Sequence, residues 1–314
     1  MRTAAAALAA LIVVLSAAGC VGSERGADAD EIGGRTVRVA ATTNFITDLA
    51  SEIGGERVEV TGLMGPGVDP HLYKASAGDV TTLRQADIIF YGGLELEGRM
   101  SDLFEELEAT RPTVAVTRDI PEADLRRPSD YEGKYDPHVW FDVPLWQIAA
   151  RTTADALADL DPQNAAGYRA RADAYIAELT TLDAFVRDSV AEIPSRQRVL
   201  VTSHDAFGYL GAEYGIEVVA IQGTSTATEA TTADVERVAS VVAERGLPAI
   251  FVESSVPPQT IEAVLAAARR AGQDVRIGGE LYGDAAGDAG TDEGTYIGMI
   301  RHNMEVIRDG LRGG

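Results

Sequence analysis

Between Asp161 and Pro194 the chain carries one unbroken helical stripe, and this stripe constrains everything around it. Tyr168, Ala172, Tyr175, Leu179, Leu182, Val186 and Val190 step by threes and fours, the spacing of a single buried face. Asp161 suits an N-cap, Pro162 suits the first helical position, and Pro194 is a stop. About 30 residues at ~1.5 Å rise make a rod of roughly 45 Å. Such a rod can run the height of a two-part molecule and act as a stiff backbone. On one side of it lie short β-branched runs at 37–42, 58–63, 88–92 and 113–116. On the other side lie 198–203, 217–222, 249–253 and 275–278. Helical patterns fill the gaps at 45–53, 79–86, 100–108, 232–245 and 258–271. Strands alternating with helices indicate parallel sheets covered on both faces. The expected fold is α/β, with two lobes that each hold a mainly four-stranded parallel sheet flanked by helices. One long rigid helix joins the lobes. A final helix is marked by Ile297, Ile300, Met304, Ile307 and Leu311.

The N-terminus gives an address. Arg2 precedes an apolar run from Ala4 to Val14 that is too short to span a bilayer. Ala17-Ala18-Gly19 then leads into Cys20, the single cysteine, in an arrangement that resembles a bacterial lipobox. The polar stretch up to Gly34 reads as a tether. The expected organisation is a signal peptide at 1–19, and a lipidated Cys20 with a flexible tether at 20–34. An N-terminal lobe at 35–160, a linker helix at 161–194 and a C-terminal lobe at 195–314 follow. With one cysteine, disulfides cannot hold the body together. A formal charge of −22 excludes nucleic acid and docking on anionic lipid as functions. The expected location is therefore the cell envelope, outside the cytoplasm, with a lipid anchor at Cys20.

Three of the four histidines sit beside an aspartate, and two of them repeat one tripeptide. Asp69-Pro70-His71 and Asp136-Pro137-His138 are the repeats, and His204-Asp205 is the third pair. Imidazole is the commonest transition-metal ligand, and a nearby carboxylate can orient its ring. In open parallel sheets, ligands bind beyond the carboxyl ends of the strands. His71 follows the run 58–63, His138 lies in the loop after 113–116, and His204 comes directly after 198–203. All three therefore belong at strand ends, two in the first lobe and one in the second. Pro70 and Pro137 stiffen the backbone before each histidine. A fourth ligand belongs at the end of the last strand, where Asp284 is the candidate and Asp288 and Asp292 are rivals. His302 falls off the buried stripe of its helix and reads as a surface residue. Glu253 ends a strand near the same cleft and reads as a hydrogen-bond partner. The glycine-rich stretch at 283–290 reads as mobile.

From about Val37 to Leu311 the chain resembles the metal-specific solute-binding lipoproteins of ABC importers, the TroA and ZnuA type. The matching stretches are Asp69-Pro70-His71-Leu72-Tyr73, Asp136-Pro137-His138-Val139-Trp140, Thr202-Ser203-His204-Asp205-Ala206-Phe207 and Phe251-Val252-Glu253-Ser254-Ser255. The stretch from Glu280 through Tyr282-Gly283-Asp284 to Gly290, followed by Gly294-Thr295-Tyr296, matches as well. The resemblance implies a metal between two lobes, held by His71, His138, His204 and Asp284. It also implies a monomer that delivers its cargo to an ABC permease and its ATPase.

Three imidazoles and one carboxylate suit Zn2+, whereas Mn2+ prefers more oxygen ligands. In the resembled family the third ligand can be glutamate, and such members tend toward manganese or iron. Histidine at 204 moves the expectation to zinc first and manganese second. Tyr73 leads straight into a helix, without the long His- and acid-rich loop of many zinc importers. A metal-buffering or adhesin surface lipoprotein would use the same cage without a transporter. A zinc hydrolase would need an open coordination position, and a bound Asp284 closes the shell. The His-Glu-x-x-His, Gly-x-Ser-x-Gly and P-loop patterns are absent from the sequence. The chain thus reads as a metal carrier and not as an enzyme.

Overall fold

The computed structural model describes residue 32, residues 34–129, residue 131 and residues 133–312. The signal segment, Cys20 and all of the tether except Ile32 and Gly34 lie outside the described residues.

The first half alternates β1 (Val37–Ala41), α1 (Asn44–Gly54), β2 (Val58–Gly62), α2 (Ala77–Gln85), β3 (Ile88–Tyr91), α3 (Ser101–Glu108) and β4 (Thr113–Ala115). Its four strands are parallel in the order β2-β1-β3-β4. Two helices follow, α4 (Val143–Leu160) and α5 (Ala165–Ala191). The second half alternates β5 (Val199–Thr202), α6 (Gly208–Tyr214), β6 (Glu217–Ala220), α7 (Thr232–Arg245), β7 (Ala249–Glu253), α8 (Gln259–Arg270) and β8 (Arg276–Leu281). Helix α9 (Tyr296–Leu311) closes the described chain.

The C-terminal strands pair in parallel as β5-β6 and β7-β8, and β5 runs beside β7 without a shared ladder. Their order therefore repeats that of the first sheet. In both halves the inner strands are the buried ones, β3 and β5 nearly throughout, while β2, β6 and most of β8 are partly exposed. Apolar runs such as Ile88-Ile89-Phe90 follow from that position, because a strand covered on both faces needs no polar side. The β7-β8 register shifts between Ile250 and Val252. Beside this shift, a Cβ on Gly278 would stand 2.5 Å from the Phe251 ring, so only glycine lets the two strands pass.

Helix α5 runs for 27 residues, about 40 Å at ~1.5 Å per residue. Its stripe is buried as expected, from Tyr168 through Val190. Its start differs from the sequence reading, because residues Pro162–Asn164 form a 3-10 turn and the α-helix begins at Ala165. The reason is the Asp161 carboxylate, which accepts bonds from Arg57, Asn164 and Tyr168 side chains and caps no backbone N–H. Helix α4 had no stripe to announce it. It is alanine-rich and buried at eleven of its eighteen positions, on more than one side.

One apolar core runs without a break from β1 and α1 through α4 and α5 to β5, β7 and α9. Two smaller cores cover the opposite faces, one under α2 and α3 and one under α7 and α8. Each fully buried Leu or Ile in the shared core contributes roughly 1.5–3 kcal/mol. The four-stranded sheet and the two C-terminal strand pairs thus share one continuous packed layer, which anchors the loops at their strand ends.

Candidate metal centre

Strand order reverses between β1 and β3, and again between β5 and β7, so each half has a crevice at its carboxyl end. His204 lies two residues past β5, and Glu253 is the last residue of β7. His71 comes from the β2–α2 loop, and His138 directly precedes a short helical turn, Val139–Phe141, that leads into α4. Asp284 lies three residues past β8. These elements bring four side chains into one place. One ligand atom from each of His71, His138, His204 and Asp284 lies within 4.8 Å of all the others. His71 is 5 % exposed and the other three are fully buried.

All three imidazoles aim Nε2 at the Asp284 carboxylate. His204 Nε2 stands 3.2 Å from Oδ2, His138 Nε2 3.3 Å from Oδ1, and His71 Nε2 3.8 Å from Oδ2. The two nitrogens of His71 and His138 are themselves 3.3 Å apart. Both Asp284 oxygens are buried with no aligned hydrogen-bond partner, as is His204 Nε2. A buried carboxylate in that condition is strongly disfavoured unless a cation compensates it. The donor set and its orphaned atoms therefore fit a metal ion. Asp288 and Asp292 are exposed and stand outside the cluster. His302 is also outside it, its ring tilted against that of Tyr282 and within 3.1 Å of the Glu280 carbonyl.

The carboxylates behind the rings differ from what adjacency in sequence implies. Asp136 Oδ1 faces His138 Nδ1 at 2.8 Å and accepts the His138 backbone N–H at 3.0 Å. Asp69 accepts the His71 backbone N–H at 2.8 Å but does not meet its ring, and its other oxygen accepts from Thr226 at 2.6 Å. The carboxylate behind His204 comes from Glu253, with Oε1 accepting the His204 backbone N–H at 2.9 Å and Oε2 standing 2.7 Å from Nδ1. The second contact is short but out of line with the ring N–H direction, so it is an ion-pair contact in this geometry. A buried glutamate closing the apolar run Ala249-Ile250-Phe251-Val252 is the sequence signal for this partner. A divalent ion here would meet three buried carboxylates, Asp284, Asp136 and Glu253, and the whole would stay negative by one unit.

Electrostatics separate the histidines. Burial pushes the His71 pKa down to about 3, with His138 and His204 nearby adding to the effect and Asp284 opposing it. Burial would lower His138 too, but Asp136 and Asp284 outweigh it and raise it to about 9. Burial likewise opposes protonation of His204, while Asp284 and Glu253 carry it well above the ordinary value. The Asp284 carboxyl lies well below its ordinary value, because the three histidines overcome its burial. Both upward shifts favour the protonated rings of His138 and His204 beside the Asp284 carboxylate.

The Asp284 end of the glycine-rich stretch is hydrogen-bonded to distant side chains. Trp140 Nε1 donates to the Gly283 carbonyl at 3.1 Å, and Asn44 bonds both the N–H and the carbonyl of Ala286. Residues 283–287 are buried, and exposure begins at Asp288. The loop after β4 is tied down as well, by Tyr209 OH donating to the Asp136 carbonyl at 3.0 Å. Beside His71 a cleft of about 470 Å³ opens, bordered by Glu95, Arg99, Tyr131, Lys134 and Thr224.

Comparison with known proteins fits this geometry. The model of the ZnuA family, described as zinc-uptake complex component A, periplasmic, matches residues 39–310. The zinc-binding protein TroA of Treponema pallidum is 48% identical over 269 residues, covering 86% of this chain and 87% of TroA. The manganese-binding lipoprotein MntA of Bacillus subtilis is 44% identical over 305 residues, covering 97% and 98%. The solved structure of the periplasmic zinc-binding TroA superposes with a TM-score of 0.86 at 46% identity, over 88% of this chain and 99% of that one. The chain belongs to the ZnuA family of periplasmic metal-uptake proteins, whose members bind metal for transport and are not enzymes.

Proposed function

We propose that this protein captures a divalent transition metal outside the cytoplasm and delivers it to an ABC permease and its ATPase. His71, His138, His204 and Asp284 are the ligands, and the metal lies between an N-terminal lobe at 35–160 and a C-terminal lobe at 195–314. The linker at 161–194 is the spacer that keeps the lobes apart. A lipid on Cys20 holds the protein at the membrane, in keeping with the lipoprotein named among its relatives. The observation that carries this reading is the Asp284 carboxylate, fully buried with neither oxygen in an aligned hydrogen bond and three imidazole nitrogens aimed at it.

Zinc stands first among the cargoes, because a three-nitrogen, one-oxygen set of four suits it. Manganese stands second for a specific reason. Both oxygens of Asp284 face the centre, so a bidentate carboxylate can raise the coordination number. Relatives named for zinc and for manganese match this chain almost equally well. The test is competitive titration of metal-free protein with zinc and manganese, repeated on His204→Glu. Stoichiometric binding that favours zinc, with the preference moving toward manganese in the variant, is expected. An unchanged ratio overturns His204 as the selectivity ligand, and absence of stoichiometric binding overturns the whole reading.

A further inference from the structure

Residues 223–228 have hollow space on either side. Together with His71 they border the cleft of about 470 Å³, and next to Asp205 they border a second hollow of about 300 Å³. Both ends of the segment are fixed. The Gln222 backbone N–H donates to the Ser203 carbonyl at 2.9 Å, and Thr231 and Asp234 close a capping box at the start of α7. The Gln222 side chain donates to the Thr228 carbonyl at 3.1 Å and ties the base together. Between those points Thr224 and Thr226 are buried, while Ala227 and Thr228 are exposed.

The middle of this segment is bonded to the other half of the chain. Thr226 Oγ1 donates to Asp69 Oδ2 at 2.6 Å, and Asp69 Oδ1 accepts the His71 backbone N–H at 2.8 Å. The first half comes close to the second here as well, because Gly67 has a φ of 69° and a Cβ on it would stand 3.2 Å from the Ser254 carbonyl oxygen. We infer that residues 223–228 are a strap across the metal's way in and out, and that the Thr226–Asp69 hydrogen bond is its clasp. The clasp sets how fast metal exchanges and not how tightly it is held. This rests on the reading of the four side chains as a metal cage.

Neither Thr226 nor Asp69 belongs to the four-ligand cluster, so the bond is worth the same with the cage full or empty. Lifting the strap breaks it, which raises the barrier for entry and for release alike. Affinity is the ratio of those two rates and stays fixed when both move together. Segments that open for a ligand are drawn from the weakly held parts of a fold, and a strap with hollows on both sides meets that description.

Thr226→Val keeps the shape of the side chain and removes the donor. In stopped-flow measurements with zinc, association with metal-free protein and chelator-driven release from loaded protein should both quicken about 2–10-fold, the usual weight of one hydrogen bond on a barrier. Their ratio should not change. Thr226→Ser keeps the hydroxyl and should restore the unaltered rates. Unchanged rates in Thr226→Val overturn the inference. Faster release alone also overturns it, because the bond would then hold the metal itself. A serine variant that exchanges as fast as the valine variant overturns it too. The strap can also be followed without cargo. Hydrogen exchange at the amides of residues 224–228 should speed up in metal-free Thr226→Val and not in Thr226→Ser, and unaltered protection in the valine variant overturns the inference. If the unaltered protein binds no metal, the functional reading fails, while hydrogen exchange still decides whether the clasp holds the strap.

Discussion

Asp69-Pro70-His71 and Asp136-Pro137-His138 are identical in sequence and unlike in structure. The second copy is a closed unit, in which one Asp136 oxygen serves both the backbone and the ring of His138, all fully buried. The first copy is open. Asp69 serves the backbone of His71 and then reaches across to Thr226, and among the described residues no carboxylate meets Nδ1 of His71. Tertiary surroundings thus give one tripeptide two electrostatic outcomes. His138 is raised to about 9 and His71 is lowered to about 3. A motif match licenses the ligand atom but says nothing of how firmly, or in which protonation state, the ring is held.

The largest effects should come from removing the rings. His138→Ala and His71→Ala should each weaken metal binding more than the ~10–100-fold typical of an outer-partner loss. They should part company in the metal-free protein. His138→Ala leaves the Asp136 carboxylate buried without its cationic partner, a change that typically costs about 3–5 kcal/mol. His71→Ala removes a ring that is already neutral and should destabilise the metal-free fold much less. Denaturant unfolding of both variants at pH 6 checks the contrast, and equal losses break it.

Next in size is the pH dependence, where the two copies have opposite signs. The folded pKa of His138, about 9, lies above its ordinary 6.5, so its contribution is fully present below pH 6.5 and is lost as pH rises through about 9. The folded pKa of His71, about 3, lies below 6.5, so the folded state binds fewer protons and stability falls as pH drops from 6.5 toward 3. Metal-free protein should therefore be most stable near pH 6.5, where these windows meet, and each ring substitution should flatten one side only. Metal must also displace the protons of His138 and His204. Binding at neutral pH should release protons and weaken as pH falls, which calorimetry in buffers of different ionisation enthalpy reads directly.

Smaller still is the replacement of each aspartate by its amide. The Asp136 oxygen that serves both nitrogens can remain in an asparagine, so Asp136→Asn keeps the tautomer and loses only the charge. Metal affinity should fall about tenfold, the low end of the range for outer partners. Asp69→Asn should cost less, because that side chain touches only backbone and Thr226. Equal losses would mean that ring contact is not what distinguishes the copies.

The strands and the long stripe of α5 were legible because period and punctuation mark them locally. All eight expected strands are present, and the three histidines meet in one cluster, although only His204 directly follows a strand. Helix α4 was not legible, since a helix buried on several sides shows no contrast between faces. The ring partners were legible in one case of three. Asp136 is local to its histidine, whereas Glu253 reaches His204 from 49 residues away and Asp69 turns aside to Thr226. The tethers of the Asp284 loop were hidden for the same reason. Asn44 and Trp140, which hold it, are far off in the chain and nearby only in the fold. Local chemistry places ligands, and long-range contacts decide how they are supported.

The weakest expected effect tests the outermost support of each copy. Tyr209 OH donates to the Asp136 carbonyl in a fully buried setting, and Thr226 Oγ1 donates to Asp69 Oδ2 in a partly buried one. Tyr209→Phe leaves a buried carbonyl short of a partner and should cost about 1–3 kcal/mol of stability. It should also loosen metal binding slightly, because the Asp136 backbone carries the carboxylate that holds His138. Thr226→Val keeps the shape and removes one hydrogen bond to a charged oxygen that water can reach, so it should cost about 0.5–1.5 kcal/mol. If the copies differ as described, Tyr209→Phe moves both stability and affinity, while Thr226→Val moves stability with little change in affinity. Thermal unfolding and zinc titration on the same two variants decide it, and a larger affinity loss for Thr226→Val would make the open copy the more tightly held of the two.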